Sequence, residues 1–354
     1  MTHILEQVPQ HGAPVLDGNT ATFVWQGARP PVLRGDWNDW DAASGLAWQR
    51  LRKPRGVVQW EPIWTARLEL LPDTYMEYCF GTDEERLNDP LNRRRVSNGM
   101  GKYNNWFTMP EASFTPLAQP VPDVPQGELI ALSLPTQGTV AGQARSVTFY
   151  RPPVPGPVPL LLVYDGPDYL RRARLPMLLD NLLAQGRIRP LAVAFVANGR
   201  SARMAEYGGS DGTITFVREI VLPAARQQLA LTTEPGDFGV LGASMGGLMA
   251  LYTGLRLPQL FGHVLSQSGA FHLDDYPTSV LSLVADGPRL PLRIWLDVGR
   301  YEWLLASNRT THDLLAARGY DVTYREYSAG HNYTAWRNDL WRGLEALFSP
   351  RPAS

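Results

Sequence analysis

Cysteine is almost absent from this sequence, because Cys79 carries the only thiol among 354 residues. A single cysteine excludes an internal disulfide framework and any zinc site built from cysteine ligands. Cys79 also falls within an alternating run that predicts a β-strand, away from the Gly-rich motif at 242–247. If the chain is a catalyst, we therefore expect a serine nucleophile rather than a thiol.

The chain also lacks a net charge of either sign, and it has little lysine. Its 33 Lys and Arg against 34 Asp and Glu give a net charge of −1. A chain this close to neutrality has no overall field to attract DNA or RNA, so we expect no nucleic-acid partner. Lys53 and Lys102 are its only lysines, which leaves 31 arginines. Genomic base bias explains such an excess, but guanidinium groups also suit carboxylates and phenolates.

No apolar run approaches the roughly 18 residues that indicate a membrane-spanning helix. The first residues, MTHILEQVPQHGAPV, lack the basic start and apolar stretch of a secretory leader. We therefore expect no membrane contact and a cytoplasmic location. A hydrophobic content of 44% with 11 Trp is sufficient for a large core, which excludes global disorder.

The length fits two domains, and the residue pattern changes near residue 115. Residues 1–115 contain short alternating runs separated by turn residues, which indicate a β-sandwich. Residues 109–127 carry five prolines and predict a linker or strap. Residues 116–354 alternate apolar strands with helices, which predicts a parallel sheet covered on both faces. The predicted fold class is therefore α/β with an N-terminal β-sandwich domain.

The runs that carry this prediction are short. In the N-terminal part the predicted strands are Thr22–Trp25, Val32–Arg34, Trp64–Leu70 and Tyr75–Phe80. In the C-terminal part the predicted strands are 159–164, 191–196, 237–242, 263–268, 292–298 and 321–327, and the predicted helices are 175–183, 216–230, 246–257, 303–318 and 333–348.

The most specific motif is the run GASMGG at residues 242–247, with Ser244 at its centre. A buried strand precedes this run and a helix follows it, as the nucleophile elbow of a serine hydrolase requires. Small residues two before and two after the serine let strand and helix cross closely. Ser244 is therefore the predicted nucleophile. The structural alternative is a Gly-rich helix start in which the Ser244 hydroxyl only caps backbone N–H groups.

A serine hydroxyl needs a base, and the chain order in this class is Ser, acid, His. His331 lies between the last predicted strand and the last helix, in a loop at the carboxyl end of the sheet. We predict that His331 is the base. His312 falls inside a predicted helix and His263 at the start of a strand, so both are expected to be structural. His272 lies in a loop, where a structural role or a place on the pocket wall is open.

The acid that orients the imidazole is expected after the strand at 292–298. Glu302 lies in the loop that follows this strand and is the preferred candidate. Asp297 lies nearer to the strand end and is the second candidate, and Asp321, at the start of the next strand, is the third. The structural alternative for Glu302 is a carboxylate in the first turn of the next helix, where the helix dipole favours it.

An oxyanion needs two backbone N–H donors. One is expected from Met245, next to the nucleophile, and the other from Gly166, in the turn after the strand at 159–164. In the predicted mechanism His331 takes the proton of Ser244, which attacks a carbonyl carbon, and water later releases the acyl-enzyme. This mechanism requires no metal and no cofactor.

These motifs, in this order, resemble the enterochelin (enterobactin) esterases, which belong to the esterase-D-like branch of the α/β hydrolases. The resemblance covers roughly residues 127–348, and the N-terminal segment is similar to the early-set immunoglobulin-like domain of that family. Besides GASMGG it rests on Asp165-Gly166, Arg203-Met204-Ala205-Glu206, Phe216…Glu219…Leu222-Pro223, Asp297-Val298-Gly299…Glu302, Gly330-His331…Trp336-Arg337, Asp36-Trp37-Asn38-Asp39-Trp40, Tyr75…Phe80 and Asn88-Asp89-Pro90.

The resemblance implies an α/β-hydrolase esterase that cleaves the trilactone of a ferric catecholate siderophore in the cytoplasm and frees the iron. The partner it implies is a small-molecule ester. It implies Ser244 as nucleophile, His331 as base and Glu302 or Asp297 as acid.

A ferric catecholate substrate is strongly anionic. Arg203 and Arg300 lie in loops expected to face the elbow, and they are candidate contacts for catecholate or ester oxygens. Asp165 and Glu206, in the neighbouring motifs, are further candidate residues of the substrate site. The structural alternative for Arg203 is an ion pair with Glu206 that holds a loop.

Because fold does not fix function, two alternatives stay open. One is a carbohydrate-ester esterase, of the feruloyl or acetyl type, whose Trp37, Trp40 or Trp60 stack on sugars. For these Trp residues, packing in the sandwich core or at the domain interface is the structural alternative. The other is a non-catalytic binding protein on a hydrolase scaffold. The oligomeric state does not follow from the sequence.

Overall fold

The computed structural model describes residues 8, 12–53, 60–81, 85–273 and 276–350. Most of the N-terminal segment in which no leader pattern is found lies outside these residues. Within the described part of the chain, no helix is long and apolar enough to span a membrane. The same residues contain no group of three or more His, Cys, Asp or Glu placed to hold a metal ion.

Two compact units make up the described chain. The first extends to Phe114 and includes two short segments from later in the chain, Gly299–Trp303 and Ser328–Asn332. The second consists of Thr115–Val298, Leu304–Tyr327 and the residues from Tyr333 onward. The change of unit after Phe114 lies next to the predicted boundary at 115/116. That residues 1–115 are a substrate lid or accessory domain and residues 116–354 the esterase domain stays a prediction.

The first unit contains two antiparallel sheets. One has the order β1-β2-β5-β4, and the other has the order β3-β6-β9-β8, with β7 paired to β6. Their bounds are β1 Val15–Asp17, β2 Thr20–Gln26, β3 Leu33–Gly35, β4 Gln49–Arg50, β5 Ile63–Glu69, β6 Tyr75–Gly81, β7 Arg86–Leu87, β8 Arg95–Ser97 and β9 Tyr103–Thr108.

Side chains from both of these sheets meet in one core, so the first unit is a β-sandwich. Phe23 of β2 contacts Tyr78 of β6 and Phe107 of β9, with ring centroids 5.0 and 5.8 Å apart. All three rings are buried, and such edge-to-face aromatic packing stabilises a core beyond its buried area. Cys79 is buried on β6, in agreement with its predicted strand. The immunoglobulin-like topology of this sandwich stays a prediction.

The second unit is built around an eight-stranded sheet with the order β10-β11-β13-β12-β14-β15-β18-β19. β13, β12, β14, β15 and β18 pair in parallel, and β10 and β11 form an antiparallel hairpin at one edge. The bounds are β10 Glu128–Pro135, β11 Ala144–Arg151, β12 Leu160–Val163, β13 Ala192–Val196, β14 Phe238–Ala243, β15 Phe261–Gln267, β16 His272–Leu273, β17 Tyr276–Pro277, β18 Arg293–Tyr301 and β19 Asp321–Gly330.

Helices follow the parallel strands of this sheet. Every residue of β12 and β13 is buried, as expected for central strands with helices on both faces. The helices are α1 Gly166–Arg171, α2 Leu175–Ala184, α3 Arg203–Tyr207, α4 Asp211–Phe216, α5 Leu222–Gln228, α6 Met245–Arg256, α7 Ser279–Asp286, α8 Leu305–Ala317 and α9 Tyr333–Phe348.

The structure differs from the predicted elements in several places, two of which lie at 216–230 and 128–151. The single helix expected over 216–230 is α4 and α5 joined by a π-helical turn at Val217–Val221. Pro223 lies just inside α5, and a proline within a helical run removes an N–H donor, which a wider turn accommodates. The hairpin of β10 and β11 was not predicted at all. Its first strand, Glu128–Pro135, follows directly on the proline-rich segment 109–127.

Candidate active site

Ser244 occupies a sharp turn between β14 and α6. Its backbone has φ 58° and ψ −124°, a strained conformation that costs about 1–3 kcal/mol. The turn is held on both sides, because the Ser244 N–H donates to the Gln267 carbonyl at 2.9 Å. The Ser244 carbonyl in turn accepts the N–H groups of Gly247 and Leu248 at 2.9 and 3.1 Å. The Ser244 side chain makes no capping hydrogen bond to α6, contrary to the structural alternative.

The glycines around Ser244 are required by the close crossing of strand and helix. A Cβ on Gly242 would lie 2.1 Å from the carbonyl oxygen of Gly246, and one on Gly247 would lie 2.6 Å from Oγ of Ser266. Both separations are far below any allowed contact between nonbonded atoms. Glycine at these two positions therefore lets the strand and the helix cross this closely, and a larger residue at either position would prevent the turn.

Two helix N-termini lie side by side at the ends of adjacent parallel strands. β12 pairs with β14, so α1 and α6 begin at the same edge of the sheet. Gly166 and Met245 are the first residues of these helices, and N–H groups at such positions have no intrahelical acceptor. Pro167 has no N–H, so Gly166 supplies the first N–H of α1. This arrangement can present two N–H groups to an anion.

Asp165 precedes α1 with φ 53° and is only 2% exposed. Its carboxylate accepts Nε and one Nη of Arg203 at 2.9 and 2.6 Å, and the Asn198 amide at 2.5 Å. Burial opposes the positive charge of Arg203, but the hydrogen bonds and charge of Asp165 outweigh it and raise the pKa of the guanidinium. Asp165 therefore anchors Arg203 beside the turn that carries Gly166.

The structural alternative for Arg203, an ion pair with Glu206, is wrong, because each of these side chains has a different partner. Glu206 is buried, and its carboxylate accepts hydrogen bonds from both terminal nitrogens of Arg145, at 2.8 and 2.7 Å. The N–H of Ala141 adds a third hydrogen bond at 3.0 Å. The reason is topological: Arg145 lies on β11, in the hairpin that the sequence did not reveal.

His331 and Glu302 lie together in the first unit. Nδ1 of His331 pairs with Oε2 of Glu302, and Oε1 of Glu302 accepts the N–H of Gly299 at 2.5 Å. The Glu302 side chain is fully buried and the His331 side chain is 14% exposed. The Trp303 ring lies 4.6 Å from the imidazole ring and is largely exposed. Since Nδ1 faces the carboxylate, Nε2 is the nitrogen positioned to take a proton.

The structure brings Glu302, and not the other two candidate acids, to His331. Asp297 is fully buried within β18, where it accepts Nε1 of Trp295 at 2.8 Å and Nε2 of Gln267 at 3.3 Å. Asp321 pairs with Arg293 at 3.4 Å. Both residues lie at the starts of β19 and β18, whereas His331 follows the end of β19. β18 extends to Tyr301, three residues beyond the predicted end, which carries Glu302 away from Asp297.

The other three candidate histidines occupy ordinary structural positions. His312 stacks on Tyr324 and His263 stacks on Phe348, with ring centroids 4.9 and 5.0 Å apart. His272 begins the short strand β16. Arg300 is exposed near the end of β18.

Three tryptophans considered for sugar binding contact the interior of the sandwich or a charged neighbour. Trp37 lies 5.6 Å from Phe23 in the sandwich core. Trp40 lies under the Arg86 guanidinium and donates Nε1 to Asp36 at 3.1 Å. Trp60 packs against a small cluster of aliphatic side chains. These contacts favour packing over a sugar-binding surface.

Sequence reasoning missed two polar residues beside His331. Asp36 is 2% exposed, and its carboxylate accepts the Glu77 N–H at 2.8 Å and the Asn332 side-chain amide at 3.2 Å. Burial, followed by the charge of Glu77, raises the pKa of Asp36 well above its usual range. The sequence contains no signal for this contact, because Asp36 and Asn332 are 296 residues apart.

A parallel sheet with a strained serine turn between a central strand and the following helix is typical of the α/β-hydrolase fold. Residues 138–347, more than half of the chain, match the Esterase family, described as "Putative esterase". The chain belongs to this family.

Individual relatives are more specific in name. The chain is 32% identical over 220 residues to the iron(III) enterobactin esterase of Dickeya dadantii, which covers 56% of this chain and 51% of that protein. It is 26% identical over 290 residues to the iron(III) enterobactin esterase of Escherichia coli K12, which covers 75% of this chain and 68% of that protein. The chain thus spans about half the length of the first relative.

The fold is also similar to a solved structure. The enterobactin esterase of Shigella flexneri, determined in the presence of enterobactin, has a TM-score of 0.76 at 22% identity and covers 95% of this chain and 96% of that one. The expected α/β-hydrolase fold is confirmed. The resemblance to the enterochelin esterases is confirmed by these relatives, and the predicted esterase class agrees with the matched family.

Proposed function

We propose that this chain is a serine esterase that hydrolyses the ester bonds of a ferric catecholate siderophore with an enterobactin-like trilactone. The observation that carries the catalytic part is the strained Ser244 turn, whose hydroxyl is not used to cap α6. The substrate class rests on the relatives, which are named as iron(III) enterobactin esterases.

The proposed triad is Ser244, His331 and Glu302. The sheet topology supports it, because β14, β15 and β18 are parallel and their carboxyl ends lie at one edge of the sheet. Ser244 follows β14, Glu302 follows β18 and His331 follows β19. The pairing of Glu302 with Nδ1 supports His331 as the base, since it leaves Nε2 to act on the serine.

In the proposed reaction Nε2 of His331 takes the Ser244 proton while Oγ attacks the ester carbonyl carbon. The negative oxygen of the tetrahedral intermediate is stabilised by the N–H groups of Met245 and Gly166. The imidazolium then protonates the leaving alcohol as the C–O bond breaks. A water, deprotonated by His331, then attacks the acyl carbon. The bond between this carbon and Oγ of Ser244 breaks, the imidazolium returns the proton to Oγ, and the carboxylic acid leaves. The chemistry supplied by these residues needs no metal or cofactor, and the iron is part of the substrate.

Two arginines are proposed to contact the anionic substrate. Arg203 keeps further N–H donors besides the two it gives to Asp165, and Arg300 is exposed beside Glu302. Because Asp165 and Glu206 are engaged with Arg203 and Arg145, we propose that they support the substrate site rather than touch the substrate. A cytoplasmic location belongs to the same proposal and is checked by cell fractionation.

Incubation with ferric enterobactin tests the substrate. Linear dihydroxybenzoylserine products are expected by liquid chromatography with the unmodified protein and not with Ser244→Ala. Good turnover of simple aryl esters without siderophore products would overturn the substrate class and leave the esterase intact. Failure of a fluorophosphonate probe to label Ser244 in the folded protein would overturn the catalytic assignment and favour a non-catalytic binding protein.

A further inference from the structure

The two segments that carry the acid–base pair are held by the β-sandwich. Tyr301, next to Glu302, packs against the sandwich core, and its hydroxyl accepts the N–H of Leu71 at 3.1 Å. On the His331 side, a Cβ on Gly330 would come within 2.2 Å of Asp36. Asn332 donates its side-chain amide to the Asp36 carboxylate at 3.2 Å. The sandwich therefore contacts the residues on both sides of His331.

Asp36 is itself rigidly held. It begins a 3-10 turn directly after β3, and its carboxylate accepts the Glu77 N–H at 2.8 Å and Nε1 of Trp40 at 3.1 Å. Both Asp36 and Asn332 are at least nine-tenths buried. A carboxylate with three fixed donors cannot rotate without breaking hydrogen bonds in a site that excludes water.

We propose that Asp36 is a positioning residue for His331: it packs against Gly330 and binds Asn332, and so fixes the backbone on both sides of the imidazole. This inference rests on the proposed function, in which His331 is the base. It assigns the N-terminal domain a direct part in catalysis, since a displacement of catalytic groups by about 1 Å can cost about 100-fold in rate.

Several other carboxylates lie near the contact between Asp36 and Asn332. Glu77 from β6 and Glu302 from the segment after β18 face Asp36. Burial raises the pKa of Asp36 most, and the negative charges of these two residues raise it further. Asp39 faces His331 from the same turn as Asp36, and its pKa is raised by burial and by Glu302 and lowered by His331. A change in the pH profile alone would therefore not identify Asp36, because Asp39, Glu77 and Glu302 also titrate in this region.

Asn332→Ala is the main test, because it removes the link to Asp36 and leaves both members of the acid–base pair in place. The matched control is Asn92→Ala. Asn92 is equally buried in the same unit, and its amide binds the Tyr78 hydroxyl and the Trp106 carbonyl, each at 3.0 Å. Both variants lose buried hydrogen bonds, but the Asn92 contacts lie outside the two segments of the acid–base pair.

Asp36 itself is tested with two substitutions. Asp36→Asn keeps the shape and one oxygen that can accept from both Asn332 and the Glu77 N–H, whereas Asp36→Ala removes every acceptor. Rescue of kcat by Asn relative to Ala is the result that a positioning role requires. If Asp36→Ala does not fold, the activity of Asn332→Ala still tests the proposal.

The measurements are kcat, KM and the pH profile of p-nitrophenyl ester hydrolysis, the thermal midpoint, and the strongly deshielded imidazole N–H proton of the His331–Glu302 pair in NMR spectra. We expect Asn332→Ala to lower kcat about tenfold or more with KM within about twofold, and to shift or broaden the imidazole signal. Asn92→Ala is expected to lower the thermal midpoint with kcat and the imidazole signal unchanged.

Wild-type kcat and an unchanged imidazole signal in Asn332→Ala would overturn the proposal, as would an equal loss of kcat in Asn92→Ala. Failure of the proposed function looks different. In that case Ser244→Ala retains esterase activity, while the imidazole signal, which needs no substrate, still reports whether Asp36 positions His331.

Discussion

Glu302 uses one carboxylate oxygen for Nδ1 of His331 and the other for the N–H of Gly299. A Cβ on Gly299 would lie 3.0 Å from Oε1 of Glu302 and 2.3 Å from the Ala329 carbonyl oxygen, so the contact also requires glycine at that position. The carboxylate is fully buried and both of its oxygens are engaged. It is therefore suited to orient the imidazole, and not to touch the substrate.

Glu302→Gln tests this orienting role. Glutamine keeps the shape of the side chain, but it removes the negative charge that stabilises an imidazolium and permits the wrong tautomer. By analogy with the corresponding acid-to-amide change at a triad aspartate, kcat is expected to fall by about 10³- to 10⁴-fold with little change in KM. Steady-state hydrolysis of a p-nitrophenyl ester measures it.

Asp297→Asn is the matched change at the second candidate acid. Because Asp297 accepts Nε1 of Trp295 and Nε2 of Gln267 within the core, the expected result is a lower thermal midpoint with kcat within about tenfold of wild type. A loss of kcat as large as that of Glu302→Gln would show that the acid has been assigned to the wrong residue.

Glu206→Gln is expected to affect stability and not the chemistry. The Arg145–Glu206 pair is about 7% exposed on each side, and breaking a buried ion pair by changing one partner typically costs about 3–5 kcal/mol. Urea unfolding measures this cost. Glu219→Gln is the control, because its pair with Arg218 is more than half exposed and such surface pairs contribute about 1 kcal/mol or less.

The role of Glu206 is decided by comparing binding with stability in the same variant. If Glu206 supports the site only through Arg145, KM for the siderophore stays within about twofold in the folded Glu206→Gln protein. A large rise in KM without loss of stability would instead place Glu206 on the substrate.

Gly242→Ala is expected to disrupt the nucleophile turn. The added Cβ would meet the Gly246 carbonyl oxygen at 2.1 Å, and neither backbone can move without displacing Ser244. We expect loss of esterase activity, loss of fluorophosphonate labelling and a lower thermal midpoint. Gly156→Ala is the control, since its Cβ would meet open space and only the positive φ of 93° is strained. Full labelling of Gly242→Ala would contradict the proposed close crossing.

His263 is expected to make the stability of the protein depend on acidity. Burial, followed by the charges of Arg189 and Arg293, lowers the pKa of His263 from 6.5 to about 4. Between these two values the unfolded chain binds a proton that the folded chain does not, so stability falls as the pH is lowered through that window.

His263→Phe tests this pH dependence. The phenyl ring can replace the imidazole in its stack on Phe348 and carries no titrating group. A plot of unfolding free energy against pH is therefore expected to be shallower for the variant between pH 6.5 and 4. Parallel curves for the two proteins would assign the acid sensitivity to other groups.

Most of the central fold was predictable because buried parallel strands carry a strong local signal. The helix predicted over 333–348 has the bounds that the structure has, and the strand before Ser244 differs by one residue at each end. The hairpin of β10 and β11 was missed although Ile130, Leu132 and Leu134 alternate with polar or small residues and face the core. The alternation of apolar with polar or small residues in 128–135 is the signal that would have predicted the first strand of this hairpin.

The candidate site was predictable to the extent that its chemistry depends on local geometry. The turn at Ser244 was predicted because a small-residue turn between strand and helix depends only on consecutive residues, and the role of Ser244 as nucleophile stays a proposal. Glu302 was preferred over Asp297 from its place in a loop, and its contact with His331 agrees with that preference. The partners of Arg203 and Glu206 were not predictable, because Asp165 and Arg145 lie on strands and turns that are distant in the chain.

The sequence by itself determined the α/β class, the nucleophile turn and the order of the candidate triad residues, since periodicity and steric demands act over a few neighbouring residues. Only the tertiary structure decided which carboxylate meets His331, which arginine neutralises Glu206, and that Asp36 of the sandwich contacts the residues beside His331. These choices depend on buried charges and amides finding partners across long stretches of chain. A buried polar group left without a partner costs about 1–3 kcal/mol, more if it is charged, so the fold in which each of these groups finds its partner is favoured.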